Sequence, residues 1–193
     1  MLFPGVERPL HIFESRYRAM VADALKGDRI IGMTTLRPGY EADYHGRPPI
    51  YDIGCAGTIT EVQELPGGRY TIVLRGMVKF RVTGEDQSRS YRLARVESMP
   101  EVLGDREKAL LSKHRQHLEA LITKGSTSKV TPGTSDDELV NTVAQHIPLG
   151  LAERQALLAL RNPLLRVLAL IDLIESQAPR AVAFNRPPAR LLR

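Results

Sequence analysis

The residues of this chain that could support metal binding are few and scattered. His114 and His117 are three positions apart, so a helix would place both imidazoles on one face, where they could help to hold zinc. The sequence around them does not supply a complete set of ligands. We therefore expect two surface histidines here and no metal site.

The single cysteine and one acidic cluster are the other candidates for chemistry. Cys55 could act as a nucleophile if a histidine approached it, but it lies in an apolar segment, which is typical of a buried structural cysteine. Asp136 and Asp137 could bind a cation. Ser135 followed by Glu138, however, is the pattern of a helix N-cap box, which accounts for the acidic residues without a ligand.

Three sequence patterns that would identify common enzyme classes are absent. The chain has no glycine-rich phosphate loop ending in Gly-Lys-Ser/Thr, no Gly-x-Ser-x-Gly elbow and no His-Glu-x-x-His motif. We therefore predict a protein that is not an enzyme and that uses no cofactor. A hydrolase of an unrecognised type is the remaining alternative in this class.

Aromatic and charged side chains are mixed in the segment 13–18. We predict that Phe13, Glu14, Arg16 and Tyr17 lie near a polypeptide-binding face, because an arginine there could hold a carboxylate of a partner. The other interpretation is a salt bridge from the glutamate to an arginine, with the tyrosine packed in the core. The residue types alone leave both interpretations open.

Composition and the absence of targeting signals favour a cytoplasmic protein. Of the 193 residues, 42% are hydrophobic and 25% are charged, which is ordinary for a globular chain. One cysteine excludes an intrachain disulfide and fits a reducing compartment. The start of the chain does not resemble a secretory signal, and the most apolar run, 164–174, is too short and too charged for a membrane span.

The positive charge is concentrated at the end of the chain. The formal net charge is +5, but the segment 180–193 contains four arginines and no acid, so the rest is close to neutral. A basic tail of this kind is typical of a solvated, disordered end, although it could also act as a weak phosphate-binding arm. We therefore consider nucleic acid an unlikely partner and keep RNA binding as the alternative function.

The first hundred residues predict one early helix within a series of strands. Tyr17, Met20 and Val21 follow helical spacing, in a helix that begins at Glu14, where Glu14 or Ser15 can cap it, and that ends near Gly27. Strands are predicted over 9–13, 30–36, 54–64, 69–75, 78–82 and 91–99. Short strands joined by turns favour an antiparallel, curved sheet or small barrel.

One of these strands is predicted to have a solvent-exposed face. After a glycine, Val78, Phe80 and Val82 alternate with Lys79 and Arg81. Alternation of this kind places the two basic side chains together on one side of the sheet. We therefore expect both of them to face water.

From Pro100 onward the pattern changes to helices. They are predicted over 106–122, from the Ser135 cap to about His146, over 150–161, and after the Asn162 cap. Pro179 is expected to end the ordered chain. The predicted fold is thus α+β, with a β-rich unit at 1–100, a helical unit at 101–178 and a disordered basic tail at 179–193.

Several motifs in the first hundred residues resemble, in order and spacing, those of the Lon N-terminal (substrate-binding) domain family. They lie at 3–5 (FPG), 9–14 (PLHIFE), 16–18 (RYR), 51–57 (YDIGCAG), 64–70 (ELPGGRY) and 74–82 (LRGMVKFRV). The helical half resembles the family only in type. The resemblance implies a PUA-like pseudo-barrel followed by a helical bundle.

The same resemblance implies a function in protein quality control. In Lon proteases this domain recognises unfolded polypeptides ahead of an ATPase and a protease, and cereblon carries a similar domain as an adaptor. This chain shows neither a motor nor a protease segment, so we expect a non-catalytic polypeptide-binding module whose partner is an unfolded polypeptide or a protein. The natural site is a cleft between the two units.

A departure from the family pattern suggests an exposed sheet edge. The family has a strand just before the Leu-Phe-Pro-Gly motif, whereas only Met1 precedes Leu2 here. Either the start codon is placed too late or the sheet lacks that strand. A missing strand would leave backbone groups unpaired, and such an edge could accept a peptide or a second copy of the chain, giving a homodimer.

Overall fold

A five-stranded antiparallel sheet forms the first half of the protein in this computed structural model, which describes residues 1–44, 46–125 and 133–184. Its strands are β1 (Glu7–Ile12), β2 (Ile30–Met33), β3 (Ile53–Leu65), β4 (Arg69–Asp86) and β5 (Leu93–Met99). Helix α1 (Ser15–Leu25) lies between the first two strands, and a 3-10 turn spans Tyr40–Asp43. The strand order is β1-β4-β3-β2, and β5 pairs with the far half of β4.

Four helices form the second half. They are α2 (Asp105–Gly125), α3 (Asp136–His146), α4 (Leu151–Ala159) and α5 (Pro163–Phe184). In the described part of the chain no strand follows β5, so the predicted change at Pro100 and the α+β class are confirmed. Helix α2 ends at Gly125, three residues beyond its predicted end at 122, and residues 126–132 lie outside the described residues.

The predicted caps hold for the helices of the second half and fail for α1. The amide of Glu138 donates to Ser135 Oγ over 3.4 Å, and that of Leu165 donates to Asn162 Oδ1 over 3.0 Å. Glu14 is the N-cap of α1, but no side chain caps that end. Its carboxylate is used elsewhere, because Arg16 and a tyrosine hydroxyl donate to it.

Two predicted boundaries are wrong. Strand β4 continues through Gly76, where we expected two strands. The glycine is needed for a close approach, since a Cβ there would lie 2.0 Å from the carbonyl oxygen of Phe3. Helix α5 continues through Pro179 to Phe184, because a proline removes a single backbone hydrogen bond and does not always end a helix. The rest of the predicted tail lies outside the described residues.

The N-terminal segment joins two separate hydrophobic cores. Leu2 is fully buried in the core between the sheet and α1, and Phe3 is fully buried among the helices of the second half. Asn141 Nδ2 donates to the carbonyl of Pro4 over 2.9 Å. Gln145 accepts from the amide of Phe3 and donates to the carbonyl of Glu7, both over 3.1 Å. Helix α3 therefore binds the backbone of this segment on both sides of the turn at Pro4 and Gly5.

A buried ionic cluster links the two halves a second time. Glu101, in the connection after β5, lies 2.8 Å from Lys79 Nζ and 2.5 Å from Arg166 Nη2. The side chains of Lys79 and Arg166 are 1% and 0% exposed, so both cations are removed from water. Arg166 also donates to the Leu157 carbonyl over 3.0 Å and to Asn141 Oδ1 over 2.5 Å.

The buried position of Lys79 contradicts the predicted solvent-exposed face of this strand. The alternation of side chains is present, but the helical unit covers that face at Lys79. Nζ of Lys79 donates to the carbonyl of Leu160, at the end of α4. Arg81, two residues further, is exposed as expected.

We predict that Glu101→Ala lowers the free energy of unfolding by about 3–5 kcal/mol, because it leaves two buried cations without their carboxylate. Urea denaturation followed by circular dichroism measures this difference. Glu64→Ala is the control, since Glu64 is exposed on β3 and its removal should change stability by less than about 0.5 kcal/mol. Equal stability of the two variants would contradict the structural role of the cluster.

Candidate functional site: a cleft between the sheet and the helices

A cleft of about 560 Å³ lies between the sheet and the helical unit. Its walls come from the N-terminal segment, β4, the end of β5 with the connection after it, and the starts of α2, α3 and α5. The lining is mostly apolar, and its apolar members are Pro4, Met77, Val78, Met99, Pro100, Leu103, Leu111 and Pro163. The structure thus contains a cleft in the place that the sequence suggested for one.

The cleft lies where the edge of β4 changes partner. On this side β4 pairs first with β1, through Arg75, and then with β5, from Lys79 onward. Met77 lies between these two pairings, at a register shift between β3 and β4. A bulge of this kind changes the direction in which a side chain points. The side chain of Met77 is 49% exposed. An exposed thioether therefore lies at the break between two edge strands.

The ionic cluster contributes the polar part of the cleft floor. Lys79 and Glu101 both line the cleft, with Arg166 behind them. Burial lowers the pKa of Lys79, although the neighbouring carboxylate opposes this effect. The amine is held by Glu101 and by a backbone carbonyl, so it is a structural cation and not a free nucleophile.

Charges at the rim are largely paired. Asp136 accepts from Arg115 over 2.7 Å, and Lys108 lies 3.8 Å from Asp105. Asp136 and Asp137 both begin helix α3, where carboxylates match the helix dipole. The predicted structural explanation for these acids is therefore confirmed. Apart from these charged residues and the Lys79–Glu101 pair, the cleft lining is apolar, with the thioethers of Met77 and Met99 on one side.

The residues predicted as a binding face lie elsewhere, around the start of α1. Arg16 Nε donates to Glu14 over 3.1 Å, and its guanidinium lies 4.8 Å from the ring centre of Tyr17 and 5.1 Å from that of Tyr44. Tyr17 packs against the core of the sheet. These are the contacts of the second interpretation, in which the segment is held within the fold.

Phe13 is separate from that group. Its side chain is 61% exposed, and its only described ring contact is with His11, whose ring centre lies 6.0 Å away. None of Phe13, Glu14, Arg16 and Tyr17 lines the cleft. Their role in binding stays a prediction, and Phe13 is the member that a partner could reach.

Tyr44 completes the cluster around Arg16, although no sequence pattern had pointed to this residue. Its hydroxyl donates to Glu14 over 2.9 Å, and its carbonyl accepts from Arg16 over 3.3 Å. The hydrogen bond to Glu14 raises the pKa of Tyr44 above its ordinary value. The loop after β2 is thereby tied to the start of α1.

The other candidates for chemistry are Cys55 and the two histidines of α2. Cys55 is fully buried in the core of the sheet, as expected, and burial raises the pKa of its thiol to about 12. His117 lies 3.1 Å from Glu175 of α5. Within residues 1–44, 46–125 and 133–184, no three His, Cys, Asp or Glu side chains are grouped so that they could hold a metal ion. Nor does any helix there have the length and apolar character to cross a membrane.

Residues 1–176 match the family model of the ATP-dependent protease La (LON) substrate-binding domain. The chain belongs to this family. The match extends beyond the motifs of the first hundred residues and includes the helical half, where the sequence had suggested only a general likeness.

Curated relatives are Lon proteases, of which this chain spans about a fifth. Lon protease 2 of Myxococcus xanthus is 26% identical over 186 residues, which is 90% of this chain and 22% of that protein. The Lon protease of Anaeromyxobacter dehalogenans is 25% identical over 167 residues, covering 82% of this chain and 20% of that protein. The similarity is thus confined to one part of these longer proteins.

Solved Lon N-terminal domains share the fold. The N-terminal domain of a Mycobacterium avium complex Lon protease superposes with a TM-score of 0.66 at 20% identity, covering 91% of this chain and 92% of that one. A Lon N-terminal domain protein from Xanthomonas campestris gives a TM-score of 0.60 at 20% identity, with 89% and 91% covered. Both units of this chain therefore have counterparts in those domains.

We predict that Cys55 is unreactive in the folded protein. With a pKa of about 12, only about one thiol in ten thousand is ionised at pH 8, and the core also excludes the reagent. Ellman's reagent should therefore react fully in denaturant and hardly at all in native buffer. Complete reaction of the native protein within minutes would show that the core around this residue opens readily.

We predict that Arg16→Ala and Phe13→Ala affect stability differently. Arg16 joins Glu14, Tyr17 and Tyr44, so its loss should lower the free energy of unfolding by about 1–2 kcal/mol. Phe13 is exposed, and its removal should change stability by less than about 0.5 kcal/mol. Thermal unfolding of both variants tests this, and an unchanged melting temperature for Arg16→Ala would show that its contacts are weak.

Proposed function

We propose that this protein is a non-catalytic module that binds exposed apolar segments of unfolded polypeptides in the cleft between the sheet and the helices. The single observation that supports this best is the cleft itself, whose lining is mostly apolar and includes a half-exposed methionine. Such clefts between units are the usual place for a bound ligand.

The character of the lining suits partners of varied sequence. Met77 and Met99 lie on one side of the cleft, and methionine side chains adapt their shape to different apolar partners. The opposite side is made of rigid or buried residues, among them Leu111 and Pro163. A site of this kind would select for hydrophobic character more than for a defined sequence.

Family membership supports the same class of partner. The family is described as a substrate-binding domain of ATP-dependent proteases, and its model matches residues 1–176 of this chain. We propose an adaptor role in protein quality control, in the cytoplasm, where the protein would present bound polypeptides to another component. The buried thiol of Cys55 is compatible with a reducing compartment.

Phe13 and its neighbours are proposed as a secondary contact. Phe13 presents a large apolar side chain to solvent, and aromatic and arginine side chains are common in protein interfaces. Since Arg16 and Tyr17 are committed to contacts within the fold, we assign the direct contact to Phe13. It lies outside the cleft lining, so its contribution can be measured separately.

Fluorescence anisotropy with labelled, reduced and carboxymethylated α-lactalbumin tests the cleft. Met77→Asp should raise the dissociation constant about tenfold or more, because a carboxylate replaces apolar area that the ligand would cover. Val62→Asp is the matched control, since Val62 is a similarly exposed apolar residue on β3 that does not line the cleft. Phe13→Ala, measured in parallel, isolates the secondary contact.

Two results would contradict the proposal that polypeptides bind in the cleft. If Met77→Asp and Val62→Asp bind the unfolded probe as the parent protein does, the cleft is not the binding site. If the parent protein binds labelled polyuridylate instead, with an affinity that collapses as salt is raised, RNA binding replaces the polypeptide function. An affinity for the unfolded polypeptide that depends only weakly on salt and that falls in Met77→Asp supports the proposal.

A further inference from the structure

Strand β5 is an edge strand with unusual exposure. Its residues 94–98 are all exposed, so both faces of the strand are open to solvent. Val96, at its centre, is 49% exposed. Within the described residues, β5 pairs with β4 alone, so its other edge carries backbone groups without a strand partner.

The other two edges of the sheet are poorer sites for strand addition. β1 contains Pro9, which has no N–H to offer, and the carbonyl of Glu7 already accepts from Gln145. β2 has only four residues, and the outer edge of β3 that β2 leaves uncovered extends over only six, 60–65. β5 has seven residues and no proline, since Pro100 follows its end. The edge that can pair over the greatest length is therefore that of β5.

Two copies of β5 placed side by side in antiparallel orientation have complementary side chains. In an antiparallel pair of two copies centred on Val96, Arg95 of each copy faces Glu97 of the other. Ala94 then faces Ser98, Leu93 faces Met99, and the two Val96 side chains face each other. Opposite charges and apolar pairs across neighbouring strands stabilise a sheet, and like charges destabilise it.

The pairing within the chain extends this pattern across the interface. β4 places Arg81 beside Glu97 and Val82 beside Val96. A second copy would add its Arg95 on the far side of Glu97, so that charges alternate along the row. On the other face, the two Val96 side chains would be flanked by the two Val82 side chains in one apolar row.

We propose that two copies of this protein form a symmetric dimer through antiparallel pairing of their β5 edges around Val96, joining the two sheets into one. Symmetric pairing of the same surface is the commonest way in which proteins dimerise. Because Met99 lines the cleft and would face Leu93 of the other copy, the two clefts would lie on the same face of the joined sheet. The dimer does not depend on the cleft binding a polypeptide.

Reversal of single charges tests this pairing. Sedimentation velocity of the full chain, over a concentration series into the high micromolar range, should show a monomer–dimer equilibrium. Arg95→Glu places two pairs of carboxylates opposite each other, and Glu97→Arg places two pairs of arginines opposite each other. Each variant alone should dimerise about tenfold more weakly or worse.

Mixing the two variants gives the decisive result. A heterodimer of Arg95→Glu with Glu97→Arg restores opposite charges at both positions across the interface, so dimerisation should recover most of what each single variant loses. Arg69→Glu and Glu64→Arg are the matched controls, because they reverse exposed charges on the β3–β4 hairpin, away from β5. Circular dichroism should show an unchanged fold in all four variants.

Three results would overturn the dimer. They are a parent protein that stays monomeric throughout the series, single variants that dimerise as the parent does, or a mixture that does not recover. None of these results bears on the cleft proposal, because Met77 lies outside β5 and the Met77→Asp variant is tested by its affinity for an unfolded polypeptide. The two proposals can therefore fail independently.

Discussion

Glu101 lies between two buried cations, and the arrangement of the two halves of the protein depends on it. Lys79 belongs to the sheet and Arg166 to the last helix, and neither cation is stable in a core without a partner. The carboxylate comes from the connection between the halves, so it joins three parts of the chain at one point. The Leu157 and Leu160 carbonyls and Asn141 accept further hydrogen bonds from the two cations. The cleft lies directly over this cluster, which fixes the distance between its walls.

The N-terminal segment is the second constraint, and it acts through backbone geometry. Leu2 and Phe3 point into different cores, and the turn that follows them at Pro4 and Gly5 brings the backbone very close to Gly76 of β4. Asn141 and Gln145 bind its backbone much as a neighbouring strand would. With both halves held in this way, the cleft is part of a fixed framework, and its adaptable component is the pair of methionines at its edge.

The two proposed surfaces use different parts of the same strand. The end of β5 contributes Met99 to the cleft, while its middle presents Arg95, Val96 and Glu97 to a second copy. Apolar burial would drive binding in the cleft, and backbone pairing with alternating charges would drive the dimer. A protein that recognises extended polypeptides gains from two such clefts on one joined sheet, because one unfolded chain can then engage both.

The sequence by itself determined the elements and the family. Periodicity located α1, the strand-rich half and the helices, and the motifs from FPG to LRGMVKFRV indicated the family. One of these motifs contains Gly76, where the backbone approaches too closely for a side chain. The sequence also determined that Cys55 would be buried. Only the tertiary structure decided which face of β4 the helices cover. For this reason the alternation in the sequence predicts an exposed Lys79, whereas the side chain is buried. The cleft, the Tyr44 contact with Glu14 and the open edge of β5 likewise depend on residues far apart in the chain. Local patterns report the conformation of neighbouring residues, whereas burial of a charge depends on distant partners that those patterns do not contain.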